Sequence, residues 1–444
     1  MADKLLVRAY NVEVGDCFYC RIPKARKVGN VIDDFHMLID CGSVGTAGNL
    51  TSAIANLQTL LPLKNGKRRL DLLVVTHEHK DHIAGFDPDQ FNDIRIERIW
   101  MNTAMDPDHP QAELTNQLHG LATRAMRNIA GLNIAMSPEL AELAALFAVD
   151  NDEAMTALRD TLPTRNNITP TYVHAGMKPA DLNLPLTGAT IRVLGPEKDI
   201  DHFYLGEEAD EGLQQLMAAG AAFRDAPLQP SAVSPANISL ADFRHLQSRM
   251  MSSAFAFAEL SSKVTNNTSV VLLIEWKSKR LLFVGDAEWD TKFKDGKSNG
   301  SWNVIWHERK PLLNSRLDFL KIGHHGSENA TPWNDQEDGT VTEPSTILDA
   351  ILPKPQGNAK PKARAIVSTK RKNYETIPRS ALLAEIGRRV QNVRNYKEAL
   401  GTRATTLPKY TEFEKAWIKS PQPMRTDLEQ MLSGVNFVDV EIEA

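Results

Sequence analysis

A chain of 444 residues can bury a large core, and its 42% hydrophobic and 24% charged content is that of a folded globular protein, which excludes an intrinsically disordered one. A net charge of −5 argues against coating nucleic acid by bulk electrostatics, although a single cleft can still carry its own field. Three cysteines are too few for a disulfide framework and fit a reducing compartment. Two of them, Cys17 and Cys20, would point to opposite faces of a strand and read as small buried side chains. The segment Met1 to Arg8 lacks the apolar core of a leader, and no apolar run approaches the ~20 residues of a membrane span, so a soluble, cytoplasmic protein with no membrane partner is expected.

Leu5 to Val14 alternates as a strand and ends at Gly15-Asp16; Cys17 to Ile22 and His36 to Ile39 read as two more, the second closing on Asp40-Cys41-Gly42. Asn49 to Leu61 carries Ile54, Leu57 and Leu61 on one helical face. After Gly66 and the cluster Lys67-Arg68-Arg69, Leu70 to Val75 reads as one short buried strand. From about Asp106 to Pro163 the texture is helical, clearest in Leu114 to Leu132 and Pro138 to Phe147. Strands return at Tyr172 to Gly176 and Ala189 to Leu194, and a second, mostly helical region runs from Glu197 to about Ser262 through a turn at Pro227 to Pro235. Then come strands at Ser269 to Trp276, Arg280 to Val284 and Leu317 to Ile322, a helix around Pro344 to Ile351, a strand at Ala363 to Ser368 and a helix at Arg379 to Val390. The expected organisation is an α/β (α+β) domain over residues 1–390 with helical insertions at about 103–168 and 197–262, then a weakly patterned C-terminal extension, 391–444.

His77, His79, Asp81 and His82 fall directly after a buried strand. A strand end feeding a tight loop fixes backbone direction, so ligand-type side chains converge there. Neutral imidazoles with a carboxylate suit a borderline-soft divalent ion such as zinc, and also manganese or iron. The pairs His77/His79 and Asp81/His82 divide naturally between two ions. A solvated loop rich in histidine by chance is the bland alternative, and the placement between a buried strand and Ile83-Ala84-Gly85 weighs against it. Asp286 is a strand-end acid able to offer one oxygen to each of two ions, and His324-His325 again place ligand-type residues at a strand end.

The run Thr76 to Gly85 resembles the H-x-H-x-D-H motif of the metallo-β-lactamase superfamily; Asp40 resembles its first motif, and Asp286 in Val284-Gly285-Asp286 its bridging acid. Asn11 to Asp16 is similar to the opening D-V-G-Q-G-D of the ComEC-type branch, Asn266 to Val271 to its N-N-x-S-x-V segment, and Lys321 to Ser327 to its K-v-g-H-H-G-S. The resemblance spans about residues 5 to 370, with the helical regions as gaps. It implies a four-layer αββα sandwich with metals at one edge: His77 and His79 on one ion, Asp81 and His82 on the other, Asp286 bridging. Of His324 and His325, one completes the second ion and the other faces substrate as a proton or hydrogen-bond donor; His325 is taken as the ligand and His324 as catalytic. Asp40 would orient a ligand imidazole and fix its tautomer.

Two segments depart from the family. Asn267-Thr268-Ser269 stands where many members have an imidazole, which leaves Asn267 as an oxygen ligand or substrate contact and His174 and His202 as candidate substitutes. Ile377 replaces a histidine that often precedes the proline of Asn373 to Pro378. The expected activity is hydrolysis of a phosphodiester, in a nucleic acid or nucleotide, by a water that one or two divalent ions activate and Asp81 positions. Ser327 and Lys370, the latter in the basic cluster Lys370-Arg371-Lys372, are candidate groups behind the ligands or against the substrate. Hydrolysis of a thioester, lactone or small ester, or a metal-binding interaction scaffold with little catalysis, are the alternatives. The helical insertions are where specificity or a partner protein would be recognised.

Overall fold

Strands β1 (Lys4–Tyr10), β2 (Phe18–Val28) and β3 (Val31–Ile39) form an antiparallel meander. Their alternation puts Leu5, Val7, Phe18, Cys20, Met37 and Ile39 on one face and Leu6, Tyr10, Tyr19 and Leu38 on the other. Both faces are buried, because helix α1 (Ala47–Leu60) packs Leu50, Ala53, Ile54 and Leu57 over the second. The computed structural model describes residues 3–45, 47–130, 150–207, 255–334, 340–357, 359–369, 377–391 and 437–444.

The apolar run expected to be one strand is divided at Asp71. Before it, β4 (Leu63–Lys64) and β5 (Lys67–Leu70) build a small three-stranded sheet with β7 (Ile94–Ile96). After it, β6 (Leu72–Val75) runs parallel to β3 in the main sheet. A carboxylate inside the run draws arginines around it and turns the chain, which the apolar composition of the run conceals. The short helix α2 (Lys80–Ile83) follows, and β8 (Ile99–Asn102) and β9 (Thr171–Val173) extend the parallel part.

In the second sheet β10 (Ala189–Gly195), β11 (Val271–Trp276) and β12 (Lys279–Phe283) are antiparallel, and β13 (Phe319–Lys321) and β14 (Arg364–Ile366) continue parallel to β12. The two sheets share one core, in which Val7, Met37, Val74 and Trp100 meet Val193, Leu272, Phe283 and Phe319. The outer face of the second sheet is covered by the helices Ser301–Leu313, Glu343–Ile351 and Ser380–Arg389. The result is a mixed α/β architecture with helices outside two facing sheets.

The insertions meet each other. Ala112, Leu118, Tyr204, Leu205 and Val264 share a small core, and the Asp201 carboxylate accepts the Leu114 and Thr115 N–H groups at 3.2 and 3.1 Å, capping the helix Glu113–Ala130. Residues Pro138 to Phe147 and Pro227 to Pro235 lie outside the described residues, as does most of the C-terminal extension. The end of that extension joins the fold: β15 (Phe437–Glu443) pairs along the whole of β1 and heads the seven-stranded order β15-β1-β2-β3-β6-β8-β9. Among the described residues no helix is long and apolar enough to cross a membrane.

Candidate metal centre

The site is assembled at the C-terminal ends of parallel strands, where open α/β sheets leave a crevice. Asp40 follows β3, Thr76 to His82 follow β6, Gly285-Asp286 follow β12, His324-His325 follow β13 and Ser368 follows β14. The loops are stitched backbone to backbone: Asp16 N to Asp81 O at 2.9 Å, Cys41 N to His82 O at 2.9 Å, and Gly85 N to Cys41 O at 2.7 Å. This approach is close enough that a Cβ on Gly42 would lie 2.2 Å from the His82 nitrogen, so only glycine fits.

Asp81, His82, Asp286 and His325 are all buried and present ligand atoms within 4.8 Å of one another. His325 places Nε2 2.7 Å from Asp81 Oδ2, while its Nδ1 lies 2.7 Å from the Ser368 carbonyl and donates to it. His82 Nδ1 donates to Asp40 at 2.8 Å, which leaves Nε2 facing Asp286 Oδ2 at 3.2 Å. Asp40 is itself fixed by the Thr76 N–H and hydroxyl, both at 2.7 Å. Asp286 lies between two sets of imidazoles, since its Oδ2 is also 3.8 Å from His77 Nε2. His77 Nε2 and His79 Nδ1 are 3.1 Å apart and buried, but among the described residues they belong to no ligand group as tight as the first.

Burial pushes His77 well below the usual imidazole range and His79 down to about 4, so both are neutral and suited to ligation. Burial opposes charge on His82 too, yet Asp286, Asp81 and Asp40 outweigh it and hold its pKa well up. Burial likewise works against the carboxylates, but His82 and its neighbours keep Asp81 and Asp286 ionised well below the ordinary range. Asp81 Oδ1 is buried with no hydrogen-bond partner, and His82 Nε2 meets Asp286 Oδ2 at 3.2 Å without an aligned hydrogen bond, so both are open to a ligand. Open oxygen and nitrogen atoms converging with further carboxylate and imidazole donors fit a divalent cation.

His324 occupies the rim, its side chain 25% exposed, with Nδ1 3.0 Å from Ser327 Oγ and 3.5 Å from Glu288 Oε1. Desolvation lowers its pKa, but Asp286 and Glu288 prevail and lift it to about 9. Asn267 is a correction. Its Oδ1 accepts the Glu288 and Ser301 N–H groups at 3.1 and 2.8 Å and its Nδ2 donates to the Lys263 carbonyl at 3.0 Å, so the carboxamide oxygen is engaged by backbone rather than offered to an ion. His174 and His202 do not substitute: among the described residues neither joins a ligand group, the first bonding the Ala175 carbonyl through Nδ1 at 2.8 Å and the second facing Asp295 at 3.2 Å. Lys370, with Arg371 and Lys372, lies outside the described residues.

Several residues of the site were not expected there. Thr76 and Ser269 flank the ligands, Ser269 Oγ accepting the Asp286 N–H at 3.0 Å and standing 3.2 Å from His77 Nδ1. Glu288 accepts from Asn266 at 3.0 Å and faces His324. The available signal was adjacency, since each polar residue sits within or beside a motif segment. Fold and site together define a mixed α/β protein with a buried His/Asp cluster that can hold a metal ion. No family model and no curated protein matches the sequence.

Proposed function

We propose that the chain is a metal-dependent hydrolase of the metallo-β-lactamase kind, close to the ComEC-type branch, and that it cleaves phosphodiesters of nucleic acids or nucleotides. The observation that carries this reading is the convergence of Asp81, His82, Asp286 and His325 from strand ends in two facing sheets. Helices outside both sheets agree with the αββα sandwich of that superfamily. His77, His79 and Asp286 would hold one ion, and Asp81, His82, Asp286 and His325 the other, with zinc favoured by the donors and manganese or iron also suited.

When bound, such ions bring the pKa of a water towards neutrality and clamp the attacking and leaving oxygens. The protein's own groups do the rest. Asp40 holds the Nδ1 proton of His82 and so turns Nε2 to the site. Asp81, with one oxygen unpartnered, orients the water. His324, at the exposed rim beside Glu288, donates to the departing oxygen as the phosphorus–oxygen bond breaks. The ComEC-type motifs are what favour a phosphodiester over a carboxyl ester.

The test is turnover of bis(p-nitrophenyl) phosphate with added zinc or manganese. Turnover removed by a chelator and by Asp81→Ala is the expected result. Turnover of carboxyl esters alone would replace the phosphodiester with a thioester, lactone or small-ester substrate. Metal binding with no turnover of either would leave an interaction scaffold.

A further inference from the structure

Lys321 ends β13 and is 2% exposed, a burial that an ammonium tolerates only when paired. Its Nζ forms an ion pair with Asp16, donates to the Gly285 carbonyl at 2.9 Å and lies 3.7 Å from Asp286 Oδ1. Asp16 is 1% exposed, and its backbone is bound into both neighbouring loops: its N–H donates to Asp81 O and its carbonyl accepts from Gly42 N, each at 2.9 Å. Asp16, Asp40 and His82 form a second tight group of ligand-type atoms. The Lys321 ammonium supplies the cation there, so this group is not read as a further metal site.

The turn that presents Asp286 uses this contact. Gly285 has a φ of 52°, and a Cβ there would lie 2.8 Å from Ser269 Cβ, so the backbone is packed tightly inward. A carbonyl turned into the interior requires a donor; Lys321 is the nearer of two, and the His324 N–H at 3.3 Å is the other. The positive charge also offsets the repulsion of bringing Asp286 beside Asp81 and Asp40.

We propose that Asp16 and Lys321 are a buried positioning pair that pins the Gly285-Asp286 turn against the Asp81 loop and so sets the bridging carboxylate for its ions. The inference rests on the metal-site reading above and assigns the pair no contact with substrate. It also gives one physical task to two segments, Gly15-Asp16 and Lys321 to Ser327, that lie far apart in the sequence.

The experiment titrates the full-length chain and two variants with cobalt(II), following the visible absorption bands and the stoichiometry. Thermal midpoints are recorded alongside, with kcat and KM on bis(p-nitrophenyl) phosphate. The double variant Asp16→Asn/Lys321→Met removes both charges together and leaves neither uncompensated. It is expected to melt close to the parent, to bind cobalt about ten- to a hundredfold more weakly with shifted bands, and to lose kcat with KM little changed. Lys321→Arg keeps the charge but offers a planar fork in place of a point contact, and a smaller loss of cobalt affinity is expected. Parental cobalt affinity and spectrum in either folded variant would overturn the proposal. Failure of both variants to fold would overturn it too, making the pair a requirement for folding instead. A parent chain that binds no cobalt would bring down the metal reading itself, and the pair's role with it.

Discussion

Strand β6 has a buried aspartate near each end, and the two are treated in opposite ways. Asp71, just before the strand, is closed: Oδ1 accepts Arg26 Nε at 2.6 Å, Oδ2 accepts the His36 N–H at 2.9 Å, and Arg69 stands 3.1 Å away. Arg26 reaches on to Glu97 and Arg69 to Asp33, so charge is met by charge. Asp81, beyond the other end, keeps Oδ1 unpartnered, and His82 Nε2 beside it is likewise without a hydrogen bond. Asp16, Asp40 and Asp286 are buried around them, with Lys321 as their fixed cation. Burial of charge is therefore no mark of function by itself. Ligand atoms left open and pointing at one spot are.

The largest effects are expected from exchanging the fates of these two carboxylates. Asp81→Ala should lower turnover roughly 10²–10⁴-fold and reduce bound metal by elemental analysis, with little change in melting. Asp71→Asn should do the reverse, keeping metal and losing roughly 3–5 kcal/mol in urea unfolding, because Arg26 and Arg69 lose a shared counter-ion in a buried place. Loss of metal in Asp71→Asn with stability intact would erase the distinction between the ends.

A finer contrast lies within the open end. Asp40 touches a ligand imidazole, whereas Asn267 touches only backbone. Zinc affinity by competition titration should fall about 10–100-fold in Asp40→Ala. In Asn267→Ala it should stay near the parent value while stability drops about 1–3 kcal/mol, since the Glu288 and Ser301 N–H groups are orphaned. A large loss of zinc affinity in Asn267→Ala would return that side chain to the ligand set.

The two ends also differ in how much of them can be read from residues. At the open end, alternation and apolar runs mark the strands, and His77 to His82, Asp286 and His324-His325 each stand just past one, so the ligand candidates are legible. Which side chains face which is not legible, because Asp16 meets Lys321 only after the two sheets have packed. Asn267 looks like a replaced ligand until Glu288 and the helix Ser301–Leu313 are in place over it. At the closed end Asp71 sits in a run whose other residues are apolar; Arg69 stands just before the run but Arg26 comes from β2, so neither the break nor the small sheet shows in the run itself. β15 is hidden for a related reason: only Val440 and Ile442 are buried in it, too few to stand out among acidic neighbours.

The smallest effect concerns protons at the closed end. His36 is buried beside Tyr19, whose hydroxyl, kept from ionising by burial, shares a hydrogen bond of 2.7 Å with His36 Nδ1. Burial, and then the positive charge of Arg69, push the His36 pKa down to about 4. An unfolded chain takes up that proton near pH ~6.5, so between the two values the unfolded state binds a proton that the folded state refuses. The contribution of His36 to stability is thus fully present above about pH 6.5 and is lost as the pH falls towards 4, by roughly 1–2 kcal/mol at pH ~5. His77 and His79 are depressed in the same direction, so the measurement has to be a difference between proteins. Urea unfolding of the parent and of His36→Gln, each at neutral pH and near pH ~5, should show a smaller acid loss in the variant by about that amount. Equal acid losses would mean that His36 carries a proton inside the fold, and that the end of β6 where Asp71 sits is less completely closed than its ion pairs suggest.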